Sequence, residues 1–110
     1  MGKPKDPRFR DKDTEDFYLG ERVLKFQELS RSDKQEARRK VVIIYKAKSW
    51  KEITKYFPYG ESGSRLEKIG NKSQHSIRLS GKWRLLFYWD KTQKKAYDIW
   101  IDPHSKKYGK

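Results

Sequence analysis

The chain has 110 residues, 28 Lys and Arg against 15 Asp and Glu, a formal net charge of +13 and no cysteine. The length predicts one domain, the absent cysteine excludes disulfide scaffolds, thiol nucleophiles and cysteine zinc sites, and two histidines leave little for a histidine metal centre. No segment approaches the roughly 18 apolar residues of a bilayer span, and no signal-peptide pattern opens the chain, so the expectation is a cytoplasmic protein with no membrane association.

A hydrophobic content of 34% against 39% charged residues leans toward disorder, but 15% aromatic residues oppose it. Few aromatic positions can bury a large area. The charge is uneven. Residues 1–28 are net neutral, so the whole excess follows them. Such a surplus attracts polyanions.

Residues 1–7, rich in Lys, Pro and Asp, read as a flexible N-terminal tail. Arg8-Phe9-Arg10 reads as a short edge strand. Asp13 or Thr14 caps a first helix, with Phe17, Val23, Leu24 and Phe26 as its apolar side and Gly20 as an interior cost of roughly 1 kcal/mol. Ser32-Asp33-Lys34-Gln35 is a capping-box pattern for a second, basic helix with Ala37, Val41, Ile44 and Tyr45 on one face. Ser49-Trp50-Lys51-Glu52 opens a short third helical segment that stops before Pro58. Residues 58–64 read as a loop.

From residue 75 the period becomes two. Ile77 and Leu79 face one way, Ser76 and Arg78 the other. Ser80-Gly81-Lys82 is a tight turn. Trp83, Leu85, Phe87 and Trp89 then point inward, with Arg84, Leu86 and Tyr88 outward. After a turn at Asp90–Lys94, Tyr97, Ile99 and Ile101 are expected inward and Asp98, Trp100 and Asp102 outward. The pattern predicts an antiparallel meander with one core face. The fold class is therefore α+β, two N-terminal helices packed on a small antiparallel sheet.

The outward face carries Arg78, Arg84, Tyr88, Trp100 and Asp102, with His104 just beyond the last strand. Arginine interleaved with Tyr and Trp suits RNA, guanidinium to phosphate and ring to base. Two other readings stand beside this one: Arg84 as a cross-strand ion-pair partner, and His104 as an ordinary residue of a polar terminus.

The blocks Arg65-Leu66-Glu67-Lys68, Gln74-His75-Ser76-Ile77-Arg78-Leu79, Lys82-Trp83-Arg84-Leu85 and Ala96-Tyr97-Asp98-Ile99, closed by Asp102-x-His104, resemble the HigB-type killer toxins of the RelE/ParE superfamily. The resemblance covers residues 8–104 as a single domain, with 105–110 a basic C-terminal tail. It implies a RelE-like fold, with the sheet twisted, and the toxin of a type II toxin–antitoxin pair that cuts mRNA in the ribosomal A site without cofactor or metal. The implied partners are a helix-turn-helix HigA-like antitoxin, the ribosome with its mRNA, and operator DNA only through the antitoxin. In these roles Arg84 is the candidate for transition-state charge stabilisation. Arg78 would bind or orient the phosphate, His104 would move the proton, and Asp102 would orient His104. Tyr88 and Trp100 would stack bases, and Arg65, Lys68, Lys72 and Lys82 would hold RNA backbone. Pro103 stands where the family commonly has an aromatic residue, and Tyr108 is a second possible proton donor. The competing functions are a ParE-like toxin acting on DNA gyrase and a non-catalytic RNA-binding module.

Overall fold

A short helix ends where its sequence meets a glycine. In the computed structural model, which describes residues 3–57, 66–68 and 74–102, α1 spans Lys12–Tyr18 and is capped by Asp11, whose carboxylate accepts from the Thr14 N–H at 2.9 Å. Gly20, at φ +90°, closes it with a paired stop. Its N–H donates to the Phe17 carbonyl, and the Glu21 N–H donates to that of Asp16. A β-carbon at such a φ costs about 1–2 kcal/mol. The single helix expected through Phe26 is therefore two pieces, α1 and a short 3₁₀ turn at Leu24–Phe26.

Helix α2 (Arg31–Lys46) is capped by Ser30 rather than Ser32. The earlier start puts Asp33 in the first turn, where its carboxylate also accepts from the Ser80 hydroxyl at 2.9 Å and ties the helix to the hairpin at Gly81. Ala37, Val41 and Ile44 are buried as their spacing predicts, and Lys40 is buried among them. Helix α3 (Trp50–Tyr56) starts at the Ser49 cap and ends before Pro58.

Four strands follow: β1 (Leu66–Lys68), β2 (Gln74–Arg78), β3 (Arg84–Asp90) and β4 (Lys95–Asp102), antiparallel and in sequential order. The fold is α+β, helices first and sheet after, with β1 as a fourth strand beyond the three that periodicity predicted. Trp83, Leu85, Phe87 and Trp89 share the core with α1, α2 and α3. Among the described residues no helix is long and apolar enough to cross a membrane. Arg65, Lys72, His104, Pro103, Tyr108 and the segments 58–64 and 105–110 lie outside the described residues.

The inward set expected of β4 is corrected at its first half. The pairing of β3 with β4 shifts between Leu86 and Tyr88, and Asp98 sits at φ +53°. This is a β-bulge, with one extra residue on β4. It reverses the side-chain phase before it, so Ala96 is buried and Tyr97 is 40% exposed. Beyond it Ile99 and Ile101 point inward as predicted.

The free edge of β4 is closed by the N-terminal segment. Phe9 forms a parallel bridge with Ile99, with Arg10 N–H to Ile99 O at 2.8 Å and Ile99 N–H to Arg8 O at 2.9 Å. The Ile101 N–H donates to the Thr14 hydroxyl. The segment read as a tail is pinned from Lys5 onward. Buried Glu15 accepts from the Lys5 and Asp6 N–H groups at 2.9 and 2.8 Å, and the Tyr45 hydroxyl donates to Asp6.

Burial works to raise the Asp6 carboxyl, but the hydrogen bonds from Tyr45 and the Arg8 N–H, with the Arg8 charge, outweigh it. The net effect holds the carboxyl below its ordinary value of 3.8. A depressed carboxylate contributes stability that is present above the unfolded value and is lost as pH falls through the folded one. Asp6→Asn should therefore lower stability by a constant amount above about pH 5, and the difference from wild type should shrink below 3.8. Urea denaturation across that range checks this. A difference unchanged at about pH 2.5 would show that the charge is not responsible.

Candidate functional site

The outer face of the sheet is ordered by strand register into cross-strand rows. The first row joins Arg78, Arg84 and Asp102 as direct neighbours. The second joins Glu67, Ser76, Leu86 and Trp100. The third joins Gln74, Tyr88 and Tyr97. With strands about 4.8 Å apart, the first row is roughly 10 Å wide.

Arg78 is exposed and Arg84 half-buried, while Asp102 is buried. Among the described residues neither guanidinium has an ion pair or hydrogen-bond partner. Like charges directly opposite on neighbouring strands repel. Among the described residues the sheet thus holds two arginines side by side, with no ion pair to either. Other arginines are spent on structure. Arg8 donates to the Ala96 and Tyr45 carbonyls, Arg38 donates to the Phe17 carbonyl, and Arg39 pairs with Glu36.

Arg78 is set from behind by Lys40, a residue outside the predicted site. The Lys40 ammonium donates to the Arg78 carbonyl at 3.1 Å, and burial pushes its pKa down. The signal was present, since Lys40 lies three residues after Ala37 and four before Ile44, on the apolar face of α2.

The aromatic residues of the face are partly engaged with each other. Tyr88 and Tyr97 stack at 5.4 Å with 25° between their planes. They form a two-ring platform that only the bulge makes possible. Trp100 is covered on one side by the Arg10 guanidinium, 4.3 Å from the ring, and Arg10 in turn holds Asp98 through two hydrogen bonds at 3.0 and 2.7 Å. The Trp100 indole N–H is buried and has no acceptor among the described residues.

Two of the expected RNA-contact lysines lie elsewhere. Lys82 is in the β2–β3 turn and pairs with Glu28 at 3.5 Å. Lys68 is opposite His75 on β1 and reaches the helix side of the sheet beside Trp50 and Trp89. The structure therefore brings together Arg78, Arg84 and Asp102, places Trp100 and Tyr88 on the same face, and separates Lys68 from them.

Arg10→Ala should free Asp98 and uncover Trp100. The expected loss of stability is about 1 kcal/mol from an exposed cation–π contact and ion pair. Tryptophan quenching by acrylamide should rise, and the rise should vanish in an Arg10→Ala, Trp100→Phe double variant. Equal quenching of Arg10→Ala and wild type would show that Arg10 does not shield the ring.

Compared with known proteins, the chain matches no family model, and no curated protein matches it.

Proposed function

We propose that the chain is the toxin of a type II toxin–antitoxin pair, a ribosome-dependent endonuclease that cuts mRNA through the message's own ribose 2′-hydroxyl. The reading is carried by the adjacent Arg78 and Arg84, unpaired among the described residues, beside buried Asp102 on an aromatic sheet face. It is supported by the motif resemblance to the HigB-type toxins. A cytoplasmic location follows from the ribosome as the site of action. In the same reading a helix-turn-helix antitoxin neutralises the protein and carries it to operator DNA.

Cleavage by this route has three requirements. The 2′-oxygen attacks phosphorus as its proton leaves, the pentacoordinate phosphate gathers negative charge, and the departing 5′-oxygen takes a proton. Arg84 fits the second requirement, since its planar fork can meet two phosphoryl oxygens at once. Its half-burial limits competition from water. Arg78, neighbouring it on β2, would hold the same phosphate from the side. Asp102 borders Arg84 in register and precedes His104 by two residues in sequence, so it is the carboxylate to orient that imidazole for proton transfer. The Tyr88–Tyr97 pair, roughly 14 Å along β3 from Arg84, offers a ring face for a neighbouring base.

Arg84→Ala should leave the circular dichroism spectrum and the melting transition near wild type and reduce cleavage of ribosome-bound mRNA about 10²–10³-fold, as expected for loss of one charge-stabilising donor. Growth arrest on expression should disappear with it. Mapping of mRNA ends after brief induction should show fresh cuts at codons for the wild type only. Arrest by Arg84→Ala at wild-type potency would defeat the assignment. DNA breaks without mRNA cuts would point to gyrase instead, and tight, salt-sensitive RNA binding without arrest to a non-catalytic module.

A further inference from the structure

On the opposite face of the sheet, toward the other end of β3 from Arg84, a cavity of about 590 Å³ opens between α3 and the strands. Its floor is aromatic. Trp50, half-buried, packs against His75 at 4.6 Å and Trp89 at 5.7 Å between ring centroids, and both of those rings are buried. The wall is thus built in advance by mutual packing.

Its rim is cationic. Lys48, Lys68, Lys91 and Lys94 come from the segment before α3, from β1 and from the β3–β4 turn. Among the described residues none of the four side chains has an ion pair or hydrogen-bond partner, and no carboxylate lines the cavity. Two acidic groups of the flanking elements are engaged with backbone N–H groups. Asp90 accepts from the Thr92 and Gln93 N–H groups of the turn, and Glu52 accepts from the Lys48 N–H. The turn places Lys94 at φ +55°. Four lysines on one cavity rim with no carboxylate among the described lining residues repel one another, and an anion among them relieves that cost.

An aromatic floor under a ring of ammonium groups matches a ligand with a flat ring at one end and a phosphate at the other. The volume lies within the usual range for small-ligand pockets. We propose that this cavity binds one nucleoside phosphate, its base against the Trp50–Trp89 wall and its phosphate among the four lysines. The nucleotide is either free or one unit of single-stranded RNA. The site is separate in place and in residues from the Arg84 face and stands whether or not that face cleaves RNA.

The test uses the full chain and follows tryptophan fluorescence, with calorimetry, as inorganic phosphate, adenosine, adenosine monophosphate and a short single-stranded oligoribonucleotide are added. Adenosine monophosphate should bind at least tenfold more tightly than adenosine or phosphate alone. Lys48→Glu combined with Lys91→Glu, two exposed positions, should weaken its binding at least tenfold. Arg84→Ala should leave that binding unchanged, which separates this site from the cleavage face. A lysine-dependent gain of tenfold or more for the oligoribonucleotide over the mononucleotide identifies RNA as the source, and equal affinity identifies a free nucleotide. Binding of adenosine monophosphate that is no tighter than that of phosphate, or that persists in the double lysine variant, would overturn the proposal.

Discussion

The bulge at Asp98 is the constraint on which both faces of the sheet depend. A regular β4 would point Tyr97 into the core and expose Ala96. One extra residue, held at φ +53°, changes the side-chain phase midway. Before it, Ala96 fits beside Trp89 in the core and Tyr97 turns out onto Tyr88. After it, Trp100 and Asp102 keep the outward phase that sets Asp102 next to Arg84. A non-glycine residue in the left-handed region costs of order 1 kcal/mol. Asp is among the side chains that tolerate it best, and Arg10 holds the carboxylate with two hydrogen bonds. The Phe9–Ile99 bridge fixes the next residue. The N-terminal segment, anchored on Glu15, is thus a clamp on the strand that carries half of the outer face.

The same clamp explains how the arginines divide. Arg8 and Arg10 lie over the edge of β4, where carbonyls and a carboxylate stand in reach, and both are consumed there. Arg78 and Arg84 lie on inner strands and pair with each other across β2 and β3. Among the described residues no carboxylate or carbonyl holds their guanidiniums. Placing like charges opposite one another sacrifices a little stability for an anion-ready surface. Behind them Lys40 supports the Arg78 backbone from the core side, so the pair has a rigid base.

Much of this was legible in the chain. The switch from a 3.6 to a 2.0 period located the sheet, and the alternation in Trp83–Trp89 gave the face of every residue in β3. Arg78, Arg84 and Asp102 were placed on one side by parity alone. Parity could not show that they share a single row, because register depends on the Gly81 turn and on long-range pairing. Tyr97 reads as core because it is an aromatic side chain in an alternating run, and a bulge leaves only a faint local mark, here an Asp in a strand. Gly20 reads as a cost within a helix, whereas its positive φ makes it the stop. Lys40 stands out only weakly, because a lysine on an apolar stripe ordinarily leans out to solvent. The lysine-rimmed cavity gathers residues from four separated segments, and no spacing in the sequence joins them.

The most direct test concerns the oxygen that the outer face is proposed to activate. Ribosomes programmed with a message carrying a single 2′-deoxynucleotide at the scissile position of the A site remove that nucleophile and leave every protein contact in place. The wild-type chain should cut the all-ribose message, leaving a 2′,3′-cyclic phosphate and a 5′-hydroxyl, and should leave the substituted position intact. Cleavage of the deoxy-substituted message at a comparable rate would contradict an mRNA endonuclease built on Arg84 and the ribose 2′-hydroxyl.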